Sequence, residues 1–143
     1  MRVTTSVVFQ LWNEARGTRL EVKRERYSGN VAPEQLHLWE EGVELQWVSA
    51  SGGGSDTDRV TFGPKAAPAV LSALRKRKPG KTIIIGVNDD KETLYVSDYL
   101  EDDTQTEIFW ANEHDEAQNG IVIPGPMVKP LAQALDRLLK FKL

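Results

Sequence analysis

Val60-Thr61-Phe62-Gly63-Pro64 leads into Ala67, Val70, Leu71 and Leu74, and 61 positions later Ile121-Val122-Ile123-Pro124-Gly125 leads into Val128, Leu131, Ala132 and Leu135. Each stretch is a short alternating strand, a Gly/Pro corner and a helix with one apolar stripe. A unit that recurs in register marks an internal repeat, and an overlooked repeat misassigns a whole fold. The chain of 143 residues is therefore read as one α+β domain, 1–143, built of two tandem copies packed about a pseudo-twofold. The first sheet and helix occupy 5–79, the second 80–143. Each copy is expected to hold four to five antiparallel strands and then one helix.

Outward from the repeat, Ser6–Asn13 alternates as a strand, with Val7, Phe9 and Leu11 on one side and Val8, Gln10 and Trp12 on the other. Gly17 suits the following turn because it tolerates positive φ. Thr18–Tyr27 reads as the second strand, with Leu20 and Val22 inward. Gln35–Trp39 and Val43–Ser49 read as a hairpin around Glu40-Glu41-Gly42. Ser51-Gly52-Gly53-Gly54-Ser55-Asp56 is expected to be the most flexible stretch. Arg59–Phe62 precedes a helix over Lys65–Lys78, and Pro79-Gly80 closes the copy. The second copy reads as strands at Lys81–Val87, Glu92–Tyr99, Gln105–Ala111 and Gly120–Ile123. An acidic loop at Asn112–Asn119 and a helix over Pro126–Phe141 complete it. The first copy is expected to carry an extra strand at its N-terminus.

The formal net charge is -3, but the two copies differ. Residues 1–80 carry 12 Lys/Arg against 9 Asp/Glu, and residues 81–143 carry 6 against 12. Phosphate contact needs local positive charge, so the first copy is the better candidate for it. No apolar run has the length of a membrane span. The N-terminus lacks a signal-peptide pattern, and there is no cysteine. These features set a cytoplasmic location, without membrane attachment, as the expectation.

The chemistry of common active sites is missing from the sequence. Glu113-His114-Asp115-Glu116 has no second histidine at ligand spacing and reads as a solvated turn. Gly52-Gly53-Gly54 has no following Lys-Ser/Thr, and no nucleophile elbow is present. Asp89/Asp90 and Asp102/Asp103 occupy turn positions, which favour Asp for backbone reasons. The Arg75-Lys76-Arg77-Lys78 run suits a helix C-terminus. The expectation is a protein without catalytic activity, cofactor or metal.

Strand alternation points to the sheet faces instead. It sets His37 and Trp39 opposite Leu36 and Leu38, Tyr95 opposite Leu94 and Val96, and Phe109 opposite Ile108 and Trp110. Arg19 and Lys23 share one face of their strand, and Arg24 and Arg26 share the other. Trp47 and Trp110 are assigned to the core. An antiparallel sheet covered by a helix on one side leaves its other face free. Aromatic and basic residues there form a stacking platform for single-stranded bases and a track for phosphates. The same aromatics also suit a second core layer or a dimer interface.

This pattern, and above all Asn119-Gly120-Ile121-Val122-Ile123-Pro124 followed by Leu131 and Leu135, resembles the Whirly superfamily of single-stranded nucleic-acid binders. That group includes plant Whirly proteins, the positive-cofactor-four coactivators, Pur-alpha and mitochondrial guide-RNA-binding proteins. The resemblance implies two sheets, each followed by a helix, and binding of single strands across sheet surfaces without cofactors. It also implies pairing through helices, with a homo-oligomer as a candidate assembly. The nucleic-acid-binding residues it implies are Arg19, Lys23, Arg24, Arg26, His37, Trp39, Tyr95 and Phe109, with DNA favoured over RNA and roles in transcription, replication or repair. The strongly acidic second copy supports an alternative, a protein-interaction module such as a phage accessory, immunity or assembly factor that contacts a basic protein partner.

Overall fold

In a computed structural model, the described residues are 2–13, 17–28, 41–49, 54–63, 65–76, 81–87, 91–99 and 102–141. Strands β1 (Arg2–Asn13), β2 (Thr18–Ser28), β3 (Glu41–Ser49) and β4 (Gly54–Phe62) form one antiparallel sheet in chain order, here sheet A. Helix α1 (Ala67–Lys76) follows. Strands β5 (Ile83–Val87), β6 (Thr93–Tyr99), β7 (Asp102–Ala111) and β8 (Ala117–Ile123) form sheet B with the same order, and helix α2 (Gly125–Lys140) follows. The expected two-copy α+β architecture is thus present, with four strands in each sheet.

Cross-strand register shows how the copies correspond. Val60 pairs with Leu45, and Leu45 with Val22, while Ile121 pairs with Ile108, and Ile108 with Val96. Equivalent residues are 61 apart at β4 and β8 (Val60 and Ile121) but 74 apart at β2 and β6 (Val22 and Val96). At β3 and β7 the equivalent residues Leu45 and Ile108 are 63 apart, so most of the added length of the first copy lies in the 29–40 connection between β2 and β3. It is not an extra N-terminal strand, because β1 is matched by β5. The strand expected at Gln35–Trp39 lies outside the described residues, as do residues 51–53 of the Gly-rich stretch and the Pro79-Gly80 boundary.

Three local expectations are corrected. Glu41 and Gly42 do not turn; they extend β3 and pair with Arg26 and Glu25, because β2 is long enough to hold them. Gly54 to Asp56 belongs to β4, and Gly54 pairs with Val48 across a register shift. The acidic loop shrinks to 112–116. Asn112 closes it: its Oδ1 accepts from the backbone N–H of His114 at 2.9 Å and of Glu116 at 3.0 Å. Asp can sit at positive φ more readily than most residues, and Asp115 does so at 59°. Gly17 takes a positive φ of 61°, as its turn requires.

Each helix covers the other copy's sheet. Helix α2 packs on β1 and β2, and α1 packs on β5 and β6, while the two helices also touch each other. The reason is the apolar stripe. Leu131, Leu135 and Leu138 of α2 are fully buried, and they share one core with Leu20, Val22, Leu45 and Val60 of sheet A. Truncating one such leucine to alanine removes about 2–5 kcal/mol. The C-terminal end of α2 is anchored further. The Phe9 and Phe141 rings lie 5.9 Å apart, and the Arg137 guanidinium sits 5.4 Å from the Phe9 ring centre.

The seam between the sheets runs where β4 meets β8. Two tryptophans close it reciprocally. Trp47 on β3 donates its indole N–H to the Val122 carbonyl at 3.0 Å, and Trp110 on β7 donates to the Thr61 carbonyl at 2.9 Å. Trp47 pairs with Leu20 and Trp110 with Leu94, so the two rings are equivalent under the pseudo-twofold. Both pack against the core, as the alternation implied.

Candidate functional site

With the inner faces of both sheets covered by helices, the outer faces remain. On sheet A, period-2 alternation and register line up Trp12, Arg19 and Val48 in one row, Gln10, Glu21, Gln46 and Arg59 in the next, then Val8, Lys23, Glu44 and Thr61. Trp12 is 56% exposed, and the Arg19 guanidinium carbon lies 5.5 Å from its ring centre. Arg19 also donates to the Ser49 carbonyl at 3.3 Å, which holds the guanidinium in place against the ring. Beside the ring opens a cleft of about 470 Å³, lined by Leu11, Trp12, Pro124, Met127 and Pro130, where the end of β1 meets the start of α2. Lys23 is half-buried and bracketed by Glu21 at 4.0 Å and Glu44 at 3.8 Å. Its charge is therefore partly spent within the sheet.

Arg24 lies on the opposite, inner face. Its Nη1 donates to the carbonyls of Leu138 and Leu139, each at 3.3 Å, and of Phe141 at 2.7 Å. A cation there satisfies carbonyls that a helix C-terminus leaves open and complements the helix dipole. This placement answers the phosphate role expected for Arg24 with a structural one. Arg26 lies on β2 opposite Glu41, and only its backbone position is described. His37 and Trp39 lie outside the described residues.

Tyr95 and Phe109 meet on the outer face of sheet B as directly paired neighbours. Their rings are stacked, with centres 5.2 Å apart and planes inclined by 25°. The row continues with Ile84, 65% exposed, on one side and Gly120 on the other. Gly120 is required here: a Cβ at this position would approach the Phe109 Cβ to 2.8 Å. Glu107 precedes Phe109 by two residues and so shares its face. Its carboxyl is held above its ordinary value near 4.5 by burial.

The candidate residues thus fall on separate surfaces. Arg19 and Lys23 share the outer face of sheet A, Tyr95 and Phe109 that of sheet B, and Arg24 shares neither. Two side chains of these outer faces were not singled out from the sequence as candidates, Trp12 and Glu107. Both were legible, since Trp12 shares a face with the polar Gln10 and Glu107 has the same parity as Phe109.

Glu113 and His114 stand on the exposed hairpin turn, 3.9 Å apart. Among the described residues, no group of three or more His, Cys, Asp or Glu side chains converges, and no helix is long and apolar enough to cross a membrane.

No protein-family model matches the sequence, and no curated protein matches it significantly. Among solved structures, the chain is similar to the MRP1/MRP2 proteins of a trypanosome, Trypanosoma brucei, at 14% identity and a TM-score of 0.45. The match spans 94% of this chain and 82% of that one. A likeness at this level carries no argument about function.

Proposed function

We propose that the chain is a non-catalytic single-stranded nucleic-acid-binding protein of Whirly type whose contact surface is the outer face of sheet A. The observation that carries the reading is the exposed Trp12 ring held beside Arg19 on the sheet face opposite the one that α2 covers. An open aromatic ring offers every base a stacking partner, and a neighbouring guanidinium serves the phosphate on either side of that base. Arg59, exposed on the same face, extends the basic track toward β4. Lys23 contributes less than Arg19, because a phosphate competes there with Glu21 and Glu44.

The test is a fluorescence titration with mixed-sequence single-stranded DNA and RNA at several salt concentrations. Binding is expected to weaken as salt rises. Trp12→Leu is expected to remove about 1–3 kcal/mol of affinity, the worth of one stacked base. Arg19→Met is expected to reduce the salt slope by about 1. Absence of binding at low salt, or unchanged affinity in both variants, would overturn the reading.

A further inference from the structure

Sheet B has a different electrostatic character from sheet A. Its four strands contain no lysine or arginine, yet they carry Asp98, Asp102, Asp103 and Glu107. The strands of sheet A carry six basic residues: Arg2, Arg19, Lys23, Arg24, Arg26 and Arg59. A phosphate approaching the outer face of sheet B would meet no strand lysine or arginine there and would meet the carboxylate of Glu107. Its aromatic pair therefore calls for a cationic ligand.

The pseudo-twofold sharpens this point at Glu107. In sheet A, the equivalent Glu44 faces Lys23 across the β2–β3 pair, and the two charges lie 3.8 Å apart. In sheet B, Glu107 faces Ser97. The Ser97 hydroxyl donates instead to the Asp98 carbonyl at 3.2 Å. No described side chain makes an ion pair with Glu107. A half-buried carboxylate without a partner costs stability, and a ligand that neutralises it recovers that cost.

We propose that the outer face of sheet B is a docking surface for an arginine-bearing basic segment of a partner protein. The guanidinium stacks on the Tyr95–Phe109 pair, and its N–H fork binds the Glu107 carboxylate. The spacing suits this ligand. Residues two apart on a strand are separated by about 7 Å, and a cation binds within about 6 Å of a ring centre, so one guanidinium reaches both groups. Arginine is favoured over lysine because it is planar, stacks and pairs with a carboxylate through two parallel bonds. Guanine carries a similar N–H edge but brings phosphates, which this sheet repels. Exposed Ile84 at the end of the row offers apolar cover to the segment's neighbouring side chains.

The experiment is a calorimetric titration of the full chain with a blocked alternating Gly-Arg peptide and its Gly-Lys counterpart of equal length. The arginine peptide is expected to bind about tenfold tighter than the lysine peptide. Glu107→Gln, which preserves shape, is expected to erase that preference, and Glu44→Gln to leave it intact. Phe109→Leu provides a second variant that retains the carboxylate and is expected to weaken the arginine peptide selectively. Far-UV circular dichroism establishes that each variant is folded. Equal affinity for the two peptides, or a preference that survives both Glu107→Gln and Phe109→Leu, would overturn the proposal. So would loss of oligonucleotide affinity, rather than peptide affinity, in the folded Glu107→Gln variant. Oligonucleotide binding through Trp12 and Arg19 is scored separately, so either surface can fail alone.

Discussion

The reciprocal tryptophan bonds across the β4–β8 seam give the sharpest test of how the two copies are joined. Trp47→Phe and Trp110→Phe each keep an aromatic ring but remove one indole N–H. The carbonyls of Val122 and Thr61 then lose partners at 3.0 and 2.9 Å. An unmet, partly buried acceptor costs about 1–3 kcal/mol, and the smaller ring adds a packing loss, so each variant should lose about 2–4 kcal/mol. With a urea slope of about 2 kcal/mol per molar, each midpoint should fall by about 1–2 M. Because the two bonds are equivalent under the pseudo-twofold, the two losses should be similar. Because both close one seam, the double variant should lose less than the sum, by more than about 0.5 kcal/mol. Urea melts followed by far-UV circular dichroism measure all three quantities. A midpoint shift below about 0.3 M for either single variant would refute the claim that these bonds hold the seam. Strict additivity would refute the claim that they act together.

Three further outcomes follow from individual side chains. Thr106 is fully buried with its hydroxyl unpartnered, and the equivalent position in sheet A is Val43, so Thr106→Val should raise stability by about 1 kcal/mol in the same melts. Arg24→Met should cost about 1–2 kcal/mol through the open carbonyls of α2 yet leave oligonucleotide affinity unchanged, whereas a matched loss of affinity would return Arg24 to the binding surface. Glu107 has a folded pKa raised above its ordinary value near 4.5. The folded state therefore holds more protons than the unfolded state between those two values, and stability contributed by this group falls as pH rises through that window. Glu107→Gln should flatten that fall and raise stability at neutral pH, and a melt series across mildly acidic pH that matches the wild type would contradict it.

Local periodicity determined much of this molecule. Alternation at Val7, Phe9 and Leu11, at Leu20 and Val22, and at Ile121 and Ile123 is enough to assign strands and their inward faces. The stripe of Leu131, Leu135 and Leu138 is enough to assign a buried helix. The repeat, the assignment of Trp47 and Trp110 to the core, and the charge division between the copies were likewise legible, because each depends on residues close in sequence or on composition alone. The length of the 29–40 connection hid the match of β1 and β2 with β5 and β6, since it shifts their alignment relative to the later strands.

Tertiary structure decided the rest. An apolar stripe states that a helix is buried but not against which sheet, so the exchange of α1 and α2 between copies was invisible. The same holds for Arg24, whose partners lie more than a hundred residues away at the end of α2. The division of the outer faces also rests on non-local register. Whether a glutamate faces Lys23, as Glu44 does, or Ser97, as Glu107 does, is set by strand pairing. Neighbours along the chain specify which way a side chain points. Neighbours across the sheet determine whether its charge is already satisfied, and so whether it is left to bind something else.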